Sequence, residues 1–154
     1  MKKKILDSET AQIKIQRMAY EVLEENSEET ELIIAGIRES GRVIAQALYQ
    51  QLQQISSLKL TLLEVSLDKK KPSQVSLSEK PPFHQKVILL VDDVSNSGRT
   101  LLYALQPFLQ DHPKKIQTLV LVERTHKAFP IQPDFVGLSV ATTLQEHIVV
   151  EVEK

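Results

Sequence analysis

The 154-residue sequence contains no cysteine. That excludes a disulfide framework, a thiolate metal site and a thiol nucleophile, and it is compatible with a reducing compartment. Long apolar runs are missing too: no segment approaches the roughly 20 apolar residues of a membrane helix. The basic start Met1-Lys2-Lys3-Lys4 is followed only by Ile5-Leu6 before Asp7, far short of a secretory apolar stretch. The expected location is the cytoplasm, with no membrane partner. A strong charge of either sign is also lacking. With Lys+Arg 19 against Asp+Glu 20 the formal charge is -1, so no whole-protein field gathers nucleic acid, and RNA binding is not favoured on this ground.

What is present is ordinary for a globular chain. A hydrophobic fraction of 42% with 25% charged residues argues against a disordered or fibrous protein. The length suits one core, so a single domain over residues 1–154 is expected.

From Ser8 to Glu25 the residues Ala11, Ile15, Met18, Ala19, Val22 and Leu23 recur at three-to-four spacing, which predicts a helix with one buried face. Residues 31–36 (Glu-Leu-Ile-Ile-Ala-Gly) form a short apolar run ending in glycine, as suits a strand buried on both sides. After Gly41 the pattern Ile44, Ala47, Leu48, Leu52 is helical again. Residues 58–67 alternate in part like a strand. A lysine-rich polar stretch at 68–74 and a weak strand at 75–77 then precede Pro81-Pro82, which reads as an exposed flap or hairpin. Residues 86–91 (Lys-Val-Ile-Leu-Leu-Val) carry the strongest strand signal. A polar turn and a helical face of Leu101, Leu102, Leu105, Phe108 and Leu109 follow, with Pro107 expected to kink or shorten that helix. Residues 116–122, 135–140 and 147–152 are further strand candidates. No internal repeat interrupts the alternation, which favours an α/β fold with a mainly parallel central sheet flanked by helices. Ligands in such sheets bind beyond the carboxyl ends of the strands. The loops 37–41, 92–100 and 123–127 are therefore where function is expected.

The middle loop is the informative one. Asp92 and Asp93 end a buried strand and are expected to face a ligand rather than the core. Gly98 lets the backbone approach an anion, and Ser97 and Thr100 bring hydroxyls beside the first amides of a helix. Carboxylates upstream and phosphate donors downstream describe a ligand that is both polyhydroxylated and phosphorylated, such as a ribose phosphate. The plainer alternative is that the acids only cap a strand and start a turn. In the first loop Gly36 and Gly41 bracket Arg38, so backbone amides and a guanidinium are able to meet pyrophosphate oxygens, although such a loop is often a simple connection. In the last loop Arg124 and His126 follow a strand, where surface residues are common.

The run from Ile88 to Thr100, Ile-Leu-Leu-Val-Asp-Asp-Val-Ser-Asn-Ser-Gly-Arg-Thr, resembles the signature of type I phosphoribosyltransferases. The resemblance spans nearly the whole chain and is strongest toward the branch of pyrimidine-operon regulators that also act as uracil phosphoribosyltransferases. It is carried further by Ile5-Leu6-Asp7, by Ala35-Gly36-Ile37-Arg38-Glu39-Ser40-Gly41, by Leu121-Val122-Glu123-Arg124-Thr125-His126-Lys127, by Pro130-Ile131 and by Asp134-Phe135-Val136-Gly137. It implies a small hood and a flexible flap added to the sheet. It implies transfer of the 5-phosphoribosyl group from 5-phosphoribosyl-1-pyrophosphate to a nucleobase, with release of pyrophosphate. Asp92 and Asp93 would bind the ribose, Asn96, Ser97, Gly98, Arg99 and Thr100 the 5-phosphate, and Ile37, Arg38, Glu39, Ser40 and Gly41 the pyrophosphate. Arg124 and His126 would face the base, and Arg38 and Lys70 are the candidate catalytic residues.

Magnesium is expected to be held mainly through substrate oxygens, without a protein metal cage. A homodimer or higher homo-oligomer is the expected assembly. Two departures qualify the pattern. Purine enzymes of the family commonly carry an acid where this chain has Asn96, which cannot act as a general base, so a pyrimidine acceptor is favoured. The flap has Lys69-Lys70-Lys71 in place of an arginine-bearing motif, either as substitutes at pyrophosphate or as a solvated charge run. The main rival function is a non-catalytic, nucleotide-sensing regulator of pyrimidine genes that binds RNA, with Lys2 to Lys4 and Lys114-Lys115 grouped by folding. A receiver domain also places paired acids after a strand, but here the pair lies late in the chain and Ser-Gly-Arg-Thr follows it.

Overall fold

The computed structural model describes residues 6–68, 70–72 and 74–141. The chain runs α1 (Ser8–Glu25), β1 (Glu31–Ile37), α2 (Ser40–Ile55), β2 (Lys59–Leu67), β3 (Val75–Leu77), β4 (Val87–Ser95), α3 (Arg99–Ala104), α4 (Gln106–Leu109), β5 (Lys115–Arg124) and β6 (Phe135–Val140). Asp7 starts α1 by accepting the Thr10 amide hydrogen at 2.7 Å, which satisfies one of the donors a helix start leaves open. The strands form one six-stranded sheet in the order β3-β2-β1-β4-β5-β6. All pairings are parallel except that of β3, which folds back antiparallel on β2 with Val65 opposite Leu77.

The central strands are covered on both faces. Met18, Ala19 and Val22 of α1 and Ala45, Leu48 and Leu52 of α2 pack on one face, over Leu32, Ile34 and Leu89. Leu101 and Ala104 of α3 and Phe108 of α4 pack on the other, over Ala35, Ile88, Leu90 and Val120. Phe83 joins that second face with its ring edge-on to Phe108, centroids 5.0 Å apart. A fully buried side chain of this size contributes about 1.5–3 kcal/mol, so the two apolar faces rather than helix propensity hold the layers. No helix among the described residues is long and apolar enough to cross a membrane.

The carboxyl ends of β4 and β5 reach beyond the sequence expectation for a common reason. β4 does not stop at residue 91 but continues through both acids to Ser95. Its ladder with β5 persists there, pairing Asp92 with Val120, Val94 with Val122 and Ser95 with Glu123, so strand pairing overrides the turn preference of Asp and Ser. The helix after it is split at Leu105 into two short pieces with Pro107 near the start of the second, in line with the expected shortening at that proline. The flap expected from the lysine-rich stretch is the tip of the β2-β3 hairpin. The candidate strand 147–152, Lys69 and the basic residues Lys2 to Lys4 lie outside the described residues.

At the amino-terminal end of the sheet, Lys86 before β4 donates to Glu31 at the start of β1. The Glu31 carboxyl is lowered from its ordinary pKa, chiefly by that hydrogen bond. A carboxyl lowered in the folded state adds stability above its unfolded pKa, and this is lost as pH falls through the folded value. Both groups are partly exposed, so Glu31→Gln is expected to cost only about 0.2–1 kcal/mol at neutral pH. Urea melts should show the difference shrinking in acid; a constant difference from pH 7 to pH 3 would contradict it.

Candidate functional site

The sheet order places a crevice between β1 and β4. The connection after β1 crosses one face through α2 to β2, and the connection after β4 crosses the other through α3 and α4 to β5. Where successive crossovers leave in opposite directions, the loops part and leave room for a ligand. The two loops at this point are 37–41 and 95–100, so the structure brings the first two expected loops to one place.

Asp92 and Asp93 stand at the carboxyl end of β4 on the edge of that crevice, yet they are closed to solvent at 1% and 5% exposure. Asp92 Oδ1 accepts the Asp93 amide hydrogen at 2.8 Å, and Asp93 Oδ1 accepts that of Val94 at 2.8 Å. Gly41, in the first turn of α2, explains the closeness of the neighbouring loop. A Cβ at Gly41 would lie 2.8 Å from the Val91 carbonyl oxygen and 3.1 Å from Asp92 Oδ1, so only glycine lets the α2 start press onto Asp92.

Ile37 is fully buried as the last residue of β1, so its side chain belongs to the core. Arg38 is exposed. Its amide donates to the Val65 carbonyl at 2.8 Å, and its Nε lies 3.6 Å from Glu64 Oε1 and 4.0 Å from Glu39 Oε1. The Arg38–Glu39 peptide bond is cis. Ser40 opens α2. Arg38 lines a cleft of about 690 Å³ with Ser66, Leu67, Asp68, Lys71, Gln74, Val75 and Ser76, so the structure sets a cation of the first loop and a flap lysine around one space. That lysine is Lys71; Lys70 is exposed at the hairpin tip. A second depression of about 340 Å³, bordered by Leu23, Asn26 and Ser56, lies at the opposite end of the sheet.

The turn between β4 and α3 has Gly98 in the left-handed region at φ 88°, immediately before the first helical residue. Ser97 Oγ accepts the Arg99 amide hydrogen at 3.3 Å, and Leu102 makes the first helical bond to the Gly98 carbonyl. The amides of a helix's first turn have no partner within the helix, and here they sit beside the Ser97 and Thr100 hydroxyls. The turn is braced from behind: the amides of Ala128 and Phe129 donate to the Ser97 carbonyl at 3.0 and 3.1 Å. Ile131 would be 2.8 Å from a Cβ at Gly98. The segment after β5 is thus joined to this turn, which no periodicity or motif in the sequence discloses.

Arg124 is buried as the last residue of β5, and His126 is exposed two residues later. Beside Arg124 lies a cluster to which the sequence alone assigns no role. Glu123 is 5% exposed and takes Lys127 Nζ at 2.6 Å and Ser139 Oγ at 3.0 Å. An acid and a lysine four residues apart are its only sequence sign. Among the described residues, no group of three or more His, Asp or Glu side chains is placed to hold a metal ion. Asp92 and Asp93 are the adjacent carboxylates at the crevice, a donor set that fits an ion carried largely by ligand oxygens.

The family model of the phosphoribosyl transferase domain matches residues 1–153. The bifunctional protein PyrR of Enterococcus faecalis is 32% identical over 163 residues, covering 99% of this chain and 91% of that protein. The bifunctional protein PyrR of Streptococcus pneumoniae is 33% identical over 155 residues, covering 97% and 89%. Among solved structures, the hypoxanthine phosphoribosyltransferase of Trypanosoma cruzi superposes with a TM-score of 0.80 at 14% identity, over 90% of this chain and 82% of that one. At that identity the likeness speaks for the fold alone.

Proposed function

The chain belongs to the phosphoribosyl transferase domain family, and from that premise we propose that it moves the 5-phosphoribosyl group from 5-phosphoribosyl-1-pyrophosphate to uracil, releasing pyrophosphate. The observation that carries this reading is the acid pair at the β1-β4 crevice, with Asp92 packed against Gly41 at the end of the loop that carries Arg38. The whole chain acts as one domain, as a homodimer or higher homo-oligomer in the cytoplasm.

In this reading Asp92 and Asp93 accept hydrogen bonds from the ribose hydroxyls, and the 96–100 turn holds the 5-phosphate with backbone amides and the Ser97 and Thr100 hydroxyls. Ile37 to Gly41 bound the pyrophosphate with backbone, and Arg38 with the flap lysines Lys70 and Lys71 stabilises its charge. The bond from C1 to the pyrophosphate oxygen breaks as a base nitrogen bonds to C1, and positive charge develops at the ring. The protein's contribution is then position and preorganised charge rather than covalent chemistry. Asp92 and Asp93 fix the ribose on one side while Arg38 receives the leaving anion on the other. Arg124 and His126, leaving the carboxyl end of β5, serve the base side. Magnesium bound with the donor supplies further neutralisation of pyrophosphate charge. The hairpin tip over the cleft keeps water from the donor.

Uracil is favoured because Asn96 supplies no carboxylate for a purine ring proton and because residues 121–137 resemble the uracil-handling branch. With saturating donor and magnesium, formation of uridine monophosphate is expected to exceed that of any purine nucleotide in a screen of uracil, orotate, hypoxanthine, guanine, adenine and xanthine. Preference for hypoxanthine or guanine would overturn the acceptor. Intact nucleotide binding without turnover would favour the nucleotide-sensing regulator. Of the lysines expected to group for RNA contact by that regulator, Lys114 Nζ is held by Glu29 at 2.6 Å and Lys115 Nζ donates to the Glu25 main-chain carbonyl at 3.2 Å. Salt-dependent RNA retention measured by filter binding checks this point.

A further inference from the structure

Arg99 lies within the turn proposed for the 5-phosphate, but its side chain leaves that turn. Nη2 donates to the backbone carbonyl of Lys70 at 2.8 Å, across 29 residues of sequence. The Lys70 amide in turn donates to Asp68 Oδ1 at 2.9 Å, a local bond that shapes the hairpin tip. The backbone of Arg99 stays with the turn, its amide on Ser97 Oγ. One residue therefore belongs to the phosphate turn by its main chain and to the flap by its guanidinium.

A hairpin tip has few packed neighbours, and ordering it costs conformational entropy that local bonds alone offset poorly. Here a charged donor meets a carbonyl at the tip itself. A carbonyl bonded to guanidinium holds the backbone at Lys70, and with it the neighbouring Lys71 that shares the 690 Å³ cleft with Arg38.

We infer that Arg99 is a positioning residue that latches the flap to the phosphate turn, so that the two halves of the donor site are set as one unit. The inference rests on the phosphoribosyltransferase reading for its consequence in turnover, but the latch itself is tested without turnover. Arg99→Met keeps the aliphatic stem and removes the donors; Arg99→Lys keeps a charged donor. Hydrogen exchange followed by mass spectrometry, with trypsin cleavage after Lys70 as a second probe, reads the flap in the full chain, and far-UV circular dichroism reports the fold.

Arg99→Met is expected to raise flap exchange and cleavage by about tenfold, the scale of one lost charge-assisted hydrogen bond, with Arg99→Lys recovering much of the protection. Ribose 5-phosphate, which lacks pyrophosphate, probes the turn on its own and is titrated against each variant. The kcat should fall more than KM changes, and donor hydrolysis should rise relative to transfer. Flap exchange unchanged in Arg99→Met sinks the latch, and a loss of ribose 5-phosphate affinity beside an unchanged flap makes Arg99 a phosphate ligand instead. If the unaltered chain itself does not bind ribose 5-phosphate, the phosphoribosyltransferase reading fails, while the exchange data still decide whether the latch exists.

Discussion

Gly98→Val is expected to abolish binding of ribose 5-phosphate. Two independent effects act at this position. Gly98 occupies φ 88°, where an L side chain costs roughly 1–2 kcal/mol and a β-branched one is further restricted. Its Cβ would also arrive 2.8 Å from Ile131 Cγ2, so the Ile131 side chain or the turn must shift, and the two further methyl groups of valine need still more room. A phosphate held by backbone amides tolerates little displacement, because every donor shifts together. Gly98→Ala should show an intermediate loss, since a single methyl group keeps the φ penalty and the Ile131 contact but adds no further bulk. Isothermal calorimetry with ribose 5-phosphate, on variants whose circular dichroism matches that of the parent, makes the comparison. Full retention of affinity in the valine variant would show that this turn does not cradle a phosphate.

Replacing Asp92 and Asp93 together by asparagine is expected to weaken donor binding by about a hundredfold or more, since each charged hydrogen bond to a ribose hydroxyl is worth roughly 1.5–3 kcal/mol. The structure sharpens why the fold survives the change. Asp92 Oδ1 and Asp93 Oδ1 each accept a main-chain hydrogen at 2.8 Å, and an asparagine carbonyl oxygen accepts in the same way. What is lost is negative charge and the second acceptor of each group, while each new amide adds two donors at a nearly closed site. A modest fall in melting temperature should accompany the affinity loss. Unchanged donor affinity in the folded double variant would remove these acids from the site.

Much of the architecture is legible in the order of residues alone. α1 follows the spacing of Ile15, Met18 and Val22 because a helix with one buried stripe writes a 3.6-residue period into its sequence. β1 and β6 are likewise legible, the first as an unbroken apolar run between two covered faces. The limits of β4 and β5 are not, because Asp92, Asp93 and Ser95 have turn-forming side chains and only the ladder to β5 keeps them extended. Strand partners are remote in sequence, so no local pattern announces them.

The same division runs through the site. The sequence by itself determined the chemistry on offer: two adjacent acids, a glycine-centred hydroxyl turn, an arginine between glycines and a lysine-rich flap, each a local pattern of neighbouring residues. Only the tertiary structure decided how these patterns meet. It set loops 37–41 and 95–100 at one crevice because the crossovers after β1 and β4 leave on opposite faces. It packed Asp92 against Gly41, paired Glu123 with Lys127 and Ser139, and turned the Arg99 guanidinium away to the Lys70 carbonyl. Most of those contacts join residues tens of positions apart or on different strands, and their geometry follows from how the layers pack, which a linear order of side chains does not encode residue by residue.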